Sequence, residues 1–258
     1  MLSPQALLRG LVSRALPTIS PDSQSNDIAQ LYGRYGEGSV LSYVRKAHLL
    51  ADEGSYFTAH NNQTAIASVL ATGFVATTPL AIISNNDSAG AKRLYLDYMA
   101  LVTGTAGAWA SAGVNVQAML VVDSALRYSS GGTVIAAANI NCPNQDISNA
   151  KSIASLYFGN LTATAATGVA RTIVGLRILR AAVSATVADV TGELKYFNFG
   201  GVEGSMFGSI TIANANVIPI PMPPVVIGPG QSILIYYVMN GTTPSAQTFF
   251  PEFGWWER

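Results

Sequence analysis

Apolar and polar positions alternate with a period of two over most of this chain, and that period predicts strands. The densest example is Pro219 to Asn240, PIPMPPVVIGPGQSILIYYVMN. Val225–Ile227 reads as a short strand, Gly228-Pro229-Gly230 as a tight turn, and Ser232–Met239 as a strand buried on both faces. The prolines ahead of it have no N–H to give to a ladder, so they mark where the chain enters a sheet at its edge or crosses between sheets. Further strands are expected at Ala65–Val75, Leu80–Ser84, Lys92–Val102, Val114–Val122, Thr133–Ala138, Ser152–Phe158, Thr172–Arg180, Glu193–Phe199, Ser209–Asn214 and Thr248–Glu257. Within Lys92–Val102, strict alternation places Leu94, Leu96, Tyr98, Ala100 and Val102 on one face. Asn85-Asn86-Asp87 and Ser129–Gly132 read as turns between strands.

Two stretches have the helical period instead. From Ser39 to Glu53 the positions Val40, Tyr43, Val44, Ala47, Leu50 and Ala51 fall on one helical face, and Gly54 supplies the stop. At the start of the sequence, Ser3-Pro4 fits a helix N-terminus, Leu7, Leu8, Leu11, Val12, Ala15 and Leu16 form a stripe, and Pro17 ends it. Residues 1–21 carry Arg9 and Arg14 and no acid. The expected organisation is an N-terminal amphipathic arm and linker at 1–30, then a single domain at 31–258. That domain is mainly β, an antiparallel β-sandwich of jelly-roll-like kind with one short helix, because regular βα alternation is absent.

Composition sharpens this picture. Only 11% of residues are charged while 49% are hydrophobic, against about 25% charged in ordinary soluble domains. No membrane span accounts for the excess, since the most apolar window, Ile66–Ile83, is broken by Ser68, Thr72, Gly73, Thr77, Thr78 and Pro79. The excess reads as surface that meets copies of the same chain. Formal net charge is zero, so no broad cationic face is expected and neither is direct nucleic-acid binding. The arm stripe Leu7, Leu8, Leu11, Val12 and Leu16 is one candidate subunit interface. The terminal FGWWER supplies Trp255 and Trp256: if the inner face takes one, the other is left to meet a partner, and the alternative is that a covering loop buries both within the chain. By the same alternation Phe253, Trp255 and Glu257 share a face.

Residues that could carry chemistry are sparse. His48 and His60 are the two histidines, and His48 has only Asp52 one turn away, so neither a metal site nor a catalytic triad is expected. Cys142 stands alone in the NINCPNQD loop and makes no internal disulfide. The glycines of Leu31–Gly38 lack the lysine and hydroxyl spacing of a phosphate-binding loop. No nucleophile elbow occurs, and Asp52-Glu53 is the one adjacent acidic pair. No cofactor is expected. Trp109, Trp255 and Trp256 are the candidate platforms for a sugar ring, and the sequons at Asn62, Asn160 and Asn240 matter only in a secreted chain. Arg9 and Arg14 interrupt any secretory core, which leaves a mitochondrial-type presequence as the rival reading of residues 1–20.

The apolar-arm start, LYGRYGEGSV at Leu31–Val40, PPVVIGPGQSILIYYV at Pro223–Val238 and the aromatic FGWWER terminus together resemble virion structural proteins of tailed bacteriophages. The resemblance implies a β-rich capsid, decoration or head-tail connector subunit with no catalytic residues. Such a subunit is expected in the virion, assembled in the host cytoplasm, with identical subunits and other virion proteins as partners. The competing expectations are a carbohydrate-binding or host-attachment module with a glycan contact, and a β-sandwich protein of an organelle or cell surface.

Overall fold

The computed structural model of the chain describes residues 29–32, 38–41, 50–61, 64–68, 71–105, 114–136, 144–145, 148–165, 171–182, 191–200, 202–203, 220–221, 223–240 and 247–258. In chain order the strands are β1 (Ala29–Tyr32), β2 (Gly38–Leu41), β3 (Tyr56–His60), β4 (Ile66–Ser68), β5 (Ala81–Asn85), β6 (Leu94–Thr105), β7 (Val114–Asp123) and β8 (Tyr128–Ala136). They continue with β9 (Ala154–Ala163), β10 (Arg171–Ala182), β11 (Leu194–Asn198), β12 (Val202–Glu203), β13 (Ile220–Pro221), β14 (Val226–Ile227), β15 (Ser232–Asn240) and β16 (Gln247–Glu257). The chain divides into two compact units, Met1–Leu49 and Leu50–Arg258.

In the first unit β1 and β2 pair antiparallel, with Ala29 opposite Leu41. This corrects the expected helix at its start, because residues 39–41 are extended. Val40 is stiff at χ1 and suits a ladder better than a helix, and the pairing partner at 29–32 decides between the two periods. Residues 42–49, with His48, lie outside the described residues, as do the whole arm stripe, Trp109, Cys142 and the strand expected at Ser209–Asn214. A helical turn at residues 50–52 opens the second unit. It stops at Gly54, whose φ of 67° only glycine adopts at low cost. There the Gly54 N–H donates to the Ala51 carbonyl and the Ser55 N–H to that of Leu50, each at 2.9 Å.

The second unit is an antiparallel sandwich. Its six-stranded sheet runs β10-β7-β15-β5-β9-β8, and its four-stranded sheet runs β11-β6-β16-β3, with β14 on β6 and β4 on β16. The pairings β5 with β15, β6 with β11, β7 with β10 and β8 with β9 nest one inside another. First with last, second with last but one, and so inward is the wrapping of a jelly roll. The departure lies in the innermost hairpin, which joins the six-stranded sheet through β9 on β5. C-terminal β16 and β3 complete the other sheet. Of the two outcomes expected of the prolines ahead of β14, the structure shows entry beside β6 at the side of the four-stranded sheet; the crossing to the six-stranded sheet comes at the Gly228–Gln231 turn.

Several residues explain local departures from the simple pattern. β6 contains a bulge at Asp97, because Trp255 pairs with Leu96 while Gly254 pairs with Tyr98. The extra residue reverses the alternation. Leu94 and Leu96 therefore point inward as expected, but Met99, Leu101 and Thr103 take over beyond the bulge, and Tyr98 and Val102 face out. Ser129–Gly132 is part of β8, not a turn between strands. Gly131 and Gly132, at φ 81° and 68°, absorb two register shifts inside the strand. Pro251 sits within β16 without losing a ladder bond on that side, since β3 pairs from residue 252 onward and β4 ends at 249.

The core lies between the sheets. Leu94, Met99 and Leu101 from one sheet meet Ile83, Leu120 and Ile235 from the other. Phe158 of β9 bridges them, edge-on to Phe249 and Phe253 of β16 at 6.3 and 6.4 Å. Strands β5 and β15 are buried on both faces, as read from Ser232–Met239, and Ile82, Val121, Leu234 and Tyr236 make a second apolar cluster on the outer side of the six-stranded sheet.

Candidate assembly faces

The register of the four-stranded sheet decides what its outer side presents. Phe253, Trp255 and Glu257 share a face, as alternation predicted; the structure makes it the inner one, and Trp256 points out. Trp255 is 0% exposed and stacks on Phe57 at 6.1 Å, so it is a core residue of the chain and offers no platform to a sugar. Trp256 stands directly opposite Tyr95 across the β16–β6 ladder, and their rings are parallel to within 1° at 5.5 Å. Immediately after the bulge, Tyr98 stacks on Tyr196 at 5.9 Å. Tyr196 is 44% exposed, and Leu194 and Val226 flank the rings as further exposed apolar side chains.

Carboxylates punctuate this aromatic surface. The Tyr98 hydroxyl donates to Glu252 Oε1 at 2.6 Å, and the Tyr56 hydroxyl donates to Asp97 Oδ2 at 2.7 Å. Burial, reinforced by these acceptors, raises both phenols well above the ordinary tyrosine range. His60 lies opposite Glu252 in the β3–β16 register. Arg258, at the rim, is drawn to Glu53 at 3.6 Å. The outer side of this sheet is therefore aromatic and acidic.

A different surface lies over the six-stranded sheet. Asp123, buried at the end of β7, lies 2.8 Å from Arg127 Nε and accepts from Arg171 Nε at 2.7 Å. Arg171 also donates to the Ala76 carbonyl at 3.0 Å and to the Tyr236 hydroxyl at 3.3 Å, while that hydroxyl donates to Ala76 at 2.8 Å. Burial pushes the Tyr236 phenol up to about 12, against the opposing pull of Arg171. These contacts pin residues 71–79 across the outer side of the sheet. There Phe74 meets Tyr236 edge-on at 4.9 Å yet is itself 53% exposed. Val75, Leu126 and Ile173 are exposed around the same triad, Ile173 at 63%.

Buried polar groups elsewhere are spent on the fold. Glu257 accepts from Ser152 Oγ, from the Ile153 N–H at 3.1 Å and from Trp255 Nε1 at 3.3 Å, with the Lys92 ammonium at 3.8 Å. Lys195 donates to Thr103 Oγ1 at 3.0 Å and lies 3.9 Å from Glu193 and 6.0 Å from the Tyr237 and Phe249 rings. A cavity of about 340 Å³ opens between Ser68, Leu80, Asn160, Thr162 and Tyr237. Among the described residues no group of three or more His, Cys, Asp or Glu is placed to hold a metal ion, and no helix is long and apolar enough to cross a membrane.

Of the candidate interface residues named from sequence, the structure describes Trp255 and Trp256 and separates them, one into the core and one onto the outer face. Sequence reasoning passed over Tyr95, Tyr98, Tyr196 and the Asp123 triad. Tyr95 stands two places from Asp97 in an alternating strand, a legible signal; Asp123 and Arg171 are 48 residues apart and nothing local joins them.

No protein-family profile matches the chain, and no curated protein sequence does. Among solved structures, the chain is similar to a chain in the structure of infectious bursal disease virus, Gt strain, at 11% identity and a TM-score of 0.25. The match covers 93% of this chain and 41% of that one, so the chain spans less than half the length of the protein it matches. So distant a likeness carries neither fold nor function, which rest on the strand pairing and the two faces.

Proposed function

We propose that this protein is a non-enzymatic structural subunit of a virus particle, one that assembles with copies of itself through apolar faces. The observation that carries the reading is that a single jelly-roll sandwich keeps apolar and aromatic side chains exposed on the outer sides of both its sheets. Sandwiches that stand alone usually solvate one side of each sheet with polar residues. Exposed apolar surface on two sides suits a subunit that is covered on both sides when assembled.

Jelly rolls serve viral shells, lectins and cupins alike, so the fold by itself does not choose among them. The low charge content and the resemblance of the Leu31–Val40, Pro223–Val238 and FGWWER segments to tailed-phage virion proteins favour the first. In this reading the subunit forms part of a capsid, its decoration or a head-tail connector. It works in the virion after assembly in the host cytoplasm, beside identical subunits and other virion proteins. Light scattering on the full chain tests it: a defined oligomer or particle is expected, and a monomer at high micromolar concentration overturns it.

A second reading has its own support in the Trp256, Tyr95, Tyr98 and Tyr196 rings beside Glu252 and Asp97, since flat aromatics with carboxylates at hand suit sugar faces. A host-attachment module of this kind binds glycans, and Trp256→Ala abolishes the binding. Failure of the intact protein to bind on a glycan array removes this alternative.

A further inference from the structure

The two outer faces differ in charge as well as in position. The four-stranded sheet presents aromatic rings with Glu252 and Asp97 among them. Over the six-stranded sheet, the exposed Phe74, Val75, Leu126 and Ile173 surround two guanidiniums that share one carboxylate, which leaves a net positive charge. We propose that these faces are the two halves of one heterologous interface, in which the aromatic face of one copy receives the Phe74–Ile173 face of the next. The proposal rests on the assembly reading and names its contact.

Charge decides against the simpler symmetric pairings. Two aromatic faces meeting about a two-fold axis would bring Glu252 and Asp97 against their own copies inside an apolar contact, and two triad faces would do the same with Arg127 and Arg171. Like charges so placed oppose association. Joining unlike faces sets acids against arginines and gives the guanidinium edges of Arg127 and Arg171 aromatic rings to approach.

Geometry then sets the form of the assembly. The faces lie on opposite sides of one sandwich, so each copy that is received can itself receive another. Head-to-tail contacts of this kind close into rings or shells when the rotation permits and otherwise propagate.

The test uses two full-length variants, each placing the wrong charge on one exposed position. Tyr196→Arg sets a cation on the aromatic face, and Ile173→Asp sets an acid on the other. Each variant alone is expected to self-associate about 30-fold or more weakly than the parent chain. Mixed one to one, they share one unaltered pair of faces and the charges introduced on the other pair are opposite in sign, so association is expected to recover toward that of the parent by native mass spectrometry. Val226→Arg with Phe74→Asp repeats the experiment if either first variant loses its near-ultraviolet circular dichroism. If the parent assembles but the variants assemble equally well, or their mixture remains monomeric, the heterologous pairing is wrong while the assembly reading stands. A parent chain that stays monomeric overturns both.

Discussion

The ring of Tyr98 fills the space that a side chain at position 254 would need. A Cβ built on Gly254 meets Tyr98 Cε1 and comes within 2.6 Å of Cδ1 and 3.0 Å of the Tyr56 hydroxyl. Gly254 stands directly opposite Tyr98 in the ladder, so the glycine is what lets an outward tyrosine lie flat on the sheet and reach Glu252. Gly254→Ala is expected to cost about 1–3 kcal/mol, as overpacking does, and to push Tyr98 off Glu252. Tyr98→Ala removes the obstacle. The double variant should therefore lose less than the sum of the singles in denaturant midpoints, and simple additivity would sink the idea.

The tryptophan pair should divide by role. Trp255→Ala empties a core site between the sheets and is expected to cost about 3–5 kcal/mol. Trp256→Ala forfeits the stack on Tyr95, worth about 0.5–1.5 kcal/mol, while removing an outer-face ring. Chemical denaturation should thus rank Trp255→Ala far below Trp256→Ala, whereas self-association at equal folded concentration should fall with Trp256→Ala. Equal stability losses would contradict the assignment of inner and outer faces.

What could be read from the sequence follows from how local each cause is. Most strand positions, the shared face of Phe253, Trp255 and Glu257, and the doubly buried run at 232–238 depend on period and neighbours, and they were legible; β3 was not expected, and the strand expected at Ala65–Val75 shrinks to β4. The helix expected from Ser39 failed where a ladder partner was available, a tertiary fact that periodicity does not contain. Asp97 broke the alternation of β6 because the bulge is defined by residues of β16, more than 150 positions away. Lys195 was readable after all: in Leu194–Asn198 it shares a face with the buried Phe197, and the structure buries both. The aromatic face needed three strands, β6, β11 and β16, in register before its rings became neighbours.

The Asp123 triad should be asymmetric under mutation. Asp123→Asn leaves Arg127 and Arg171 partly buried with no counter-charge and also weakens the tie from Arg171 to residues 71–79. The expected loss is about 3–5 kcal/mol, the usual result of removing one partner from a buried ion pair. Arg171→Met keeps the Arg127–Asp123 contact and supplies apolar volume, so its loss should be smaller. Thermal or urea unfolding gives the order, and an Arg171→Met variant that is the less stable of the two would mean that the Ala76 and Tyr236 contacts matter more than the charge balance.

Alkaline pH should expose the coupling between buried phenols and the fold. Burial raises Tyr56, Tyr98 and Tyr236, with Tyr236 at about 12 and the other two higher still. A group whose pKa is raised in the folded state contributes stability that is fully present below its unfolded value, about 10 for tyrosine. As pH rises past that point the unfolded chain gives up its protons first, and stability falls until the folded phenols ionise as well. Of the eleven tyrosines, these three are expected to gain phenolate absorbance late, with a cooperative loss of near-ultraviolet circular dichroism above about pH 10. Tyr98→Phe and Tyr56→Phe each remove one ionisable group from this linkage, so each should make the alkaline decline shallower even though it breaks a hydrogen bond to Glu252 or Asp97. If all tyrosines titrate together near the ordinary value while the fold persists, the phenols are open to water and the close packing of the aromatic face is wrong.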